Sequence, residues 1–316
     1  RWHVLDKNLK PCKKFASGKF DKECLNCLNE LLNIKEETKR VYNLLKKFLP
    51  RFMLLWCKKL YFSLAGLNNQ KTDQINELIK RRDLIKEFLE SVDVFLAPSE
   101  FIRGRYIEFG IPEEKITISR YGLNTGLFTG LKKNKSGRLR FGFIGTLLPA
   151  KGADLLIKAF NGIKNQDAQL LIYGALRSYT GFEYYLPYLK KIRKNRNIKF
   201  MGGFDNRDIA SVFQNIDILV VPSAWPENSP LVIQESFLAG TPVIASRIGG
   251  IPELVEDQIS GLLFNPLDTV ELQGKIKDII GNPSLIEKFK ENIPRIKSIE
   301  DNARELEMVY HELCQK

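Results

Sequence analysis

Residues 140–173 read RFGFIGTLLPAKGADLLIKAFNGIKNQDAQLLIY. The apolar run Arg140–Gly145 predicts a buried strand. Asp154–Phe160 predicts a helix with Leu155, Leu156 and Ala159 on one face, and Gln169–Tyr173 predicts a second strand. The same alternation continues. A helix is expected over Phe182–Asn195, a strand over Ile198–Met201, a helix over Asn206–Asn215 and a strand over Asp217–Val221. The next helix ends at Ala239, stopped by Gly240-Thr241-Pro242. A strand over Pro242–Ala245, a short helix near Pro252–Glu256 and a strand over Gly261–Phe264 complete the series. Short apolar strands alternating with amphipathic helices imply a parallel sheet covered on both faces. Right-handed crossovers make such a sheet doubly wound and Rossmann-like, with ligands bound outside the carboxyl ends of the strands.

The first part of the chain has a different pattern. Lys22–Val92 is almost all helix-like, with breaks at Pro50 and at Gly66-Leu67-Asn68-Asn69. Strands are expected only at Asp93–Ala97 and Lys115–Ser119, flanking a helix over Ser99–Phe109. Residues 122–138 hold four glycines and four basic residues and read as a linker. The closing helix is read as Ser298–Gln315.

Composition narrows the function classes. The chain has 316 residues, 44% hydrophobic and 27% charged, enough for two packed domains. No apolar stretch reaches membrane-span length, and no secretory signal is visible. The net charge is +12. Residues 1–122 carry 24 basic and 16 acidic side chains, a surplus of 8. Lys39–Lys59 holds seven basic residues and no acid, interleaved with apolar ones. That mixture suits an anionic membrane surface, or it is the solvated face of an amphipathic helix. Five cysteines and no signal argue for a reducing compartment. Cys12, Cys24 and Cys27 offer three zinc ligands, one short of a closed site, so free thiols are the plainer reading. His3 and His311 lie at opposite ends of the chain, which argues against a histidine-rich metal site.

Three loops carry candidate chemistry, each after a strand. Gly145-Thr146-Leu147-Leu148-Pro149-Ala150-Lys151-Gly152 opens a helix whose N-terminus attracts anions. Lys151 stands where a bare cation opposes that dipole and a phosphate would resolve the conflict. The plain alternative is a solvated lysine in a turn. Pro222-Ser223-Ala224-Trp225-Pro226-Glu227-Asn228-Ser229-Pro230-Leu231 precedes the second helix, with Ser229 expected as its N-cap and Pro230 as its first residue. Glu227 lies before that start and Glu235 in the helix's second turn. Carboxylates accept bidentate bonds from vicinal hydroxyls, so one suits a sugar ring and the other a ribose. Alternatively, Glu227 caps the helix and Glu235 is solvated. Ser246-Arg247-Ile248-Gly249-Gly250-Ile251-Pro252-Glu253 allows close backbone approach to a ligand, or is simply a tight turn.

Together these loops resemble retaining glycosyltransferases of the GT-B fold, glycosyltransferase family four, the glycosyl transferases group 1 domain. The resemblance covers about 93–265 and runs through SVDVFLAPSEF, GTLLPAKG, PENSPLVIQESFLAGTPVIAS and GGIPELVEDQISGLLFNP. It implies an α/β fold of two Rossmann-like domains, the N-terminal one incomplete in this chain. The expected parts are a partial acceptor-side domain over 1–122 and a linker over 123–138. A nucleotide-sugar-binding domain spans 139–296, and a helix over 297–316 packs back on the first domain.

The resemblance also implies residue roles. Lys151 would hold the donor diphosphate, with Gly145 and Thr146 in the same loop. Glu227 would sit at the donor sugar and Glu235 at the ribose. The backbone of Asn228, Ser229, Pro230 and Leu231 would face sugar and phosphates, and Phe204 and Asn206 the base. Lys151 and Glu227 are the expected catalytic pair. Thr146 departs from the family, which usually has Arg there. A hydroxyl does not replace a guanidinium, so Arg177 is a candidate substitute. The segment RWHVLDKNLKPC resembles the residues just after the family's His-Asp-aromatic stretch. The family's histidine would then precede Arg1, and His3 takes no role.

The activity so implied is transfer of a sugar from a UDP- or GDP-linked donor, with retention, to a glycan or lipid-linked acceptor. The acceptor is expected mostly on the first domain. No cofactor is implied, and no metal, because no DxD-like aspartate pair sits in a ligand loop. Cytoplasmic location at the inner membrane face, with peripheral contact through 39–59, belongs to the same reading. The alternative is a nucleotide-sugar-binding module without turnover. A nucleic-acid-binding protein is a third class, unsupported by any aromatic RNA motif or helix-turn-helix signal.

Overall fold

A computed structural model describes residues 67–164, 167–175 and 182–315. His3, Cys12, Cys24, Cys27, Arg177 and the basic segment 39–59 lie outside the described residues. The chain forms two compact units. The first contains the described residues 67–95 together with 105–115; the second contains 96–104 and everything from 116 onward.

Helix α1 (Leu67–Glu90) starts at Leu67, so Asn68 and Asn69 lie inside it rather than in a break. Strand β1 (Phe95–Ala97), helix α2 (Glu100–Phe109) and strand β2 (Ile116–Ile118) come next. Strands β1 and β2 are neighbours in a two-stranded sheet.

The second unit is built on six parallel strands. These are β3 (Leu139–Ile144), β4 (Ala168–Tyr173), β5 (Ile198–Gly202), β6 (Ile218–Val221), β7 (Val243–Ser246) and β8 (Gly261–Phe264). Their order in the sheet is β5-β4-β3-β6-β7-β8, and every described ladder is parallel. The chain winds outward from β3 to β5, returns to the centre at β6 and winds outward the other way. The crevice between β3 and β6 is therefore the switch point where such sheets bind ligands.

Helices cover both faces. They are α3 (Ala153–Asn161), α4 (Tyr185–Ile192), α5 (Ile209–Phe213), α6 (Leu231–Leu238), α7 (Thr269–Gly281), α8 (Ser284–Glu291) and α9 (Ile299–Cys314). Successive strand residues point to opposite faces, so one sheet feeds two cores. Leu170, Ile172, Ile218, Val220 and Ile244 pack with Leu156, Ile157, Phe160 and Ile276 on one side. Leu171, Leu219, Val221, Val243 and Ala245 pack with Phe213, Ile233 and Phe237 on the other. Strands β6, β7 and β8 are buried along their whole length, the signature of a parallel sheet covered twice.

Helix boundaries differ from the sequence reading in several places. Helix α3 buries Ala153, Leu156, Ile157, Ala159 and Phe160, while Leu155 is only half-buried. Helix α4 is shorter than Phe182–Asn195 at both ends. The expected helix over Asn206–Asn215 is a 3-10 turn (Asn206–Asp208) leading into α5. The turn before β8 is also 3-10, over Ile251–Glu253.

The stretch 122–138 is tied down. Phe128 is buried in the second core. The Lys133 ammonium donates to the carbonyls of Phe213 at 2.9 Å and Ile216 at 2.8 Å, and to the Thr241 hydroxyl. Helix α9 begins at a Ser298 cap whose hydroxyl accepts from the Asp301 amide. The backbone of Leu123 brackets that start, donating to Lys297 O at 3.0 Å and accepting from Ile299 N at 2.9 Å.

Candidate functional site

The loops after β3 and β6 meet at the switch point. The first ends in a 3-10 turn, Pro149–Lys151, followed by Gly152. Gly152 has φ +71°, and a Cβ there would stand 1.8 Å from the Pro222 carbonyl oxygen. Only glycine satisfies both conditions, which is why the two loops lie in backbone contact. The Ala224 amide donates to Ala150 O at 2.9 Å and closes the contact.

This contact brings Lys151 and Glu227 together. The lysine ammonium lies 2.7 Å from Glu227 Oε1. The same oxygen accepts from the buried Ser223 hydroxyl at 2.9 Å. The side chains are 39% exposed for Lys151 and 14% for Glu227, so the carboxylate is mostly covered and the ammonium stays open. An anion can reach the ammonium from solvent without disturbing the Ser223 bond.

The third loop clamps the second from the other side. The Gly250 amide donates to Glu227 O at 2.8 Å. A Cβ on Gly249 would stand 2.2 Å from Glu227 O, and one on Gly250 1.9 Å from Asn228 O. Both glycines are thus required by the nearness of the Glu227-Asn228 backbone. Asn228 Oδ1 accepts from the buried Ser99 hydroxyl at 2.7 Å. Glu253 accepts from the amides of Glu100 and Phe101, both at 2.8 Å, and so caps the start of α2 beside Ser99. Ser99, Ser223 and Glu253 support the glutamate loop, and the sequence reading assigned none of them that task. Ser99 and Glu253 are separated by more than a hundred residues from the groups they hold, so no local pattern could pair them.

Helix α6 starts at Leu231, with Pro230 rather than Ser229 as its N-cap and no side-chain cap bond. Ser229 is not the expected cap because its buried hydroxyl accepts from Gln234 Nε2 at 3.2 Å instead. Helix α3 has glycine at its cap, and its Asp154 amide donates to the Tyr185 hydroxyl at 3.3 Å. Two helix N-termini with their macrodipoles therefore open toward the crevice. Glu235 lies in the second turn of α6, half-buried, and its carboxylate has no hydrogen-bond or ion-pair partner among the described residues. Burial pushes its carboxyl above the usual range.

The remaining candidates are more scattered. Thr146 is half-buried next to Gly145, and its carbonyl accepts from the Leu148 amide. Leu231 is exposed at the head of α6. Phe204 comes after β5 and meets Tyr173 edge-on at 6.2 Å. Asn206 is exposed in the 3-10 turn, with Asp205 as its cap. Among the described residues no hydrogen bond or ion pair joins Phe204 or Asn206 to the Lys151–Glu227 pair. Among the described residues, no group of three or more His, Cys, Asp or Glu is placed to hold a metal.

The chain is similar to known proteins over this region. An uncharacterized glycosyltransferase of Methanocaldococcus jannaschii is 29% identical over 219 residues, covering 68% of this chain and 57% of that protein. A D-inositol 3-phosphate glycosyltransferase of Corynebacterium efficiens is 32% identical over 222 residues, covering 65% and 52%. The chain thus spans about half the length of these curated relatives. Among solved structures, HepE of Anabaena, crystallised with UDP-glucose, superposes with a TM-score of 0.61 at 23% identity, covering 69% of this chain and 64% of that one. The fold is of the GT-B class. Residues 131–295, just over half the chain, match the family described as Glycosyl transferases group 1, and the chain belongs to that family.

Proposed function

We propose that this chain binds a nucleotide-sugar at the β3/β6 crevice and transfers the sugar to an acceptor with retention at the anomeric carbon. The observation that carries the reading is the Lys151–Glu227 pair, open to solvent between two helix N-termini whose cap residues, Gly152 and Pro230, make no side-chain bond. A diphosphate has the charge and size to take Lys151 from Glu227. The leaving diphosphate gains negative charge in the transition state, and Lys151 with the helix dipoles would stabilise it. Glu227, released from the lysine but still held by Ser223, would turn a lone pair toward the sugar hydroxyls. Glu235 would accept the two ribose hydroxyls that satisfy its unpartnered carboxylate.

The relatives support a sugar donor of this kind, since one neighbour was crystallised with UDP-glucose. The donor base, UDP- or GDP-linked, is set by groups near Phe204 and Asn206 in this reading. A glycan or lipid-linked acceptor and peripheral membrane contact through 39–59 complete the proposal. No described helix is long and apolar enough to cross a membrane.

A second reading rests on Thr146. Without the family's arginine at that position, Lys151 is the one cation of its own loop, which suits binding better than turnover. Measuring donor binding and donor hydrolysis separately decides between the two. Binding with release of the sugar supports the transferase, and binding without release supports the module. No thermal shift with millimolar UDP- or GDP-sugars contradicts both.

A further inference from the structure

A second charged surface lies away from the crevice, at the end of α4 and in the loop leading to β5. Between Glu183 and Asp205 the chain has no acidic residue and six basic ones. Lys190, Lys191, Arg193, Lys194 and Arg196 are all exposed, as is Lys164 in the preceding loop. Among the described residues none of these side chains has an ion-pair partner, and Arg193 reaches only the Ile198 carbonyl at 3.4 Å. Lys199 lies on edge strand β5, where a lysine guards against edge pairing.

The loop that presents these charges is fixed. Asn161 Oδ1 accepts from the amides of Lys194 at 2.9 Å and Asn195 at 3.2 Å, and its Nδ2 donates to Ile192 O at 2.9 Å. Asn195 Nδ2 donates to Phe160 O at 3.0 Å and Ile163 O at 2.8 Å, and its Oδ1 accepts from the Asn197 amide. Two asparagines thus hold the backbone between α3 and β5 while the basic side chains stay exposed and unpaired. The cationic side chains also cluster in the last turn of α4. Tyr184, at the head of the same helix, is 58% exposed.

We propose that this Lys190–Arg196 platform docks the protein on an anionic lipid surface. A compact cluster of like charge fits a plane of anionic headgroups, where each Lys or Arg adds attraction. A nucleic acid would instead need charge strung along a backbone track, and these side chains share one loop and one helix end.

The test is co-sedimentation of the full chain with phosphatidylcholine vesicles, with and without phosphatidylglycerol. The wild type is expected to partition only onto the anionic vesicles. At about fivefold per charge, the combined K190S, K191S, R193S, K194S and R196S variant should partition roughly 1,000-fold or more weaker. Its thermal shift with UDP- or GDP-sugars should match wild type, so failure here is separable from failure of the crevice reading. K277S with K288S, exposed elsewhere on the same unit, should partition as wild type does. The proposal is overturned if wild type ignores anionic vesicles, or if the five-site variant partitions as wild type does. It is equally overturned if the two-site control loses as much, or if the platform binds random oligonucleotides but not vesicles.

Discussion

Strands β3 and β6 carry an ion pair at each end, and the two pairs are built differently. At the amino end, Arg140 holds Asp217 through two guanidinium bonds, at 3.0 and 2.7 Å, and a backbone amide bond at 2.8 Å. The arginine side chain is 6% exposed. This is a fork-to-carboxylate clamp with little freedom and no route for a ligand. At the carboxyl end, Lys151 touches Glu227 at one oxygen and remains open to solvent. The first pair fastens the strands. The second is a loose contact in which an incoming anion can replace one partner. Burial and the number of fixed bonds separate the fastening pair from the pair proposed to meet the donor, although both join the same strands.

Breaking the amino-end clamp should have the largest effect. R140M leaves Asp217 half-compensated and should cost about 3–5 kcal/mol in urea unfolding, with donor affinity per folded molecule unchanged. A large affinity loss would show that the two ends are coupled. Next comes the glycine clamp on the glutamate loop. G250A places a methyl group against Asn228 O and should cost about 1–3 kcal/mol while weakening donor binding, both read by thermal shift with and without donor.

Glu235 adds a third case, a carboxylate with no partner among the described residues. E235Q should raise stability by about 0.5–2 kcal/mol at neutral pH and erase any preference for ribose over deoxyribose donors. Unchanged preference would remove Glu235 from the nucleoside contact. The last prediction is a slope with pH rather than a loss, and it concerns Lys133, whose pKa burial pushes down to about 7. Between that value and the ordinary 10.5 the unfolded chain binds more protons than the folded one, so stability rises with pH across this window. K133M should flatten that rise in unfolding curves measured from pH 7 upward.

Much of the second unit is legible from residues 140–264, because short apolar runs bounded by glycine and proline leave few alternatives to buried parallel strands. Strand β8 falls at Gly261–Phe264, where the apolar run places it. Helix ends are less legible. Ser229 has the chemistry of a cap, but Gln234 takes its hydroxyl, and α6 starts one residue later than expected. Lys151 and Glu227 are each visible as loop residues after a strand. Their pairing is not, because it depends on β6 returning to lie beside β3 after two crossovers. The supports Ser99 and Glu253 are hidden for the same reason.

The proposed chemistry depends on Lys151 leaving Glu227 for a donor diphosphate. Calorimetric titration of wild type and K151A with UDP- and GDP-sugars reads that exchange. Wild type should bind one donor class, and K151A should lose about 10–100-fold in affinity, the size of a charge-assisted bond. The substitution should shift stability by less than about 1 kcal/mol, as expected for a half-exposed pair. Equal donor affinity in the two proteins would contradict the exchange.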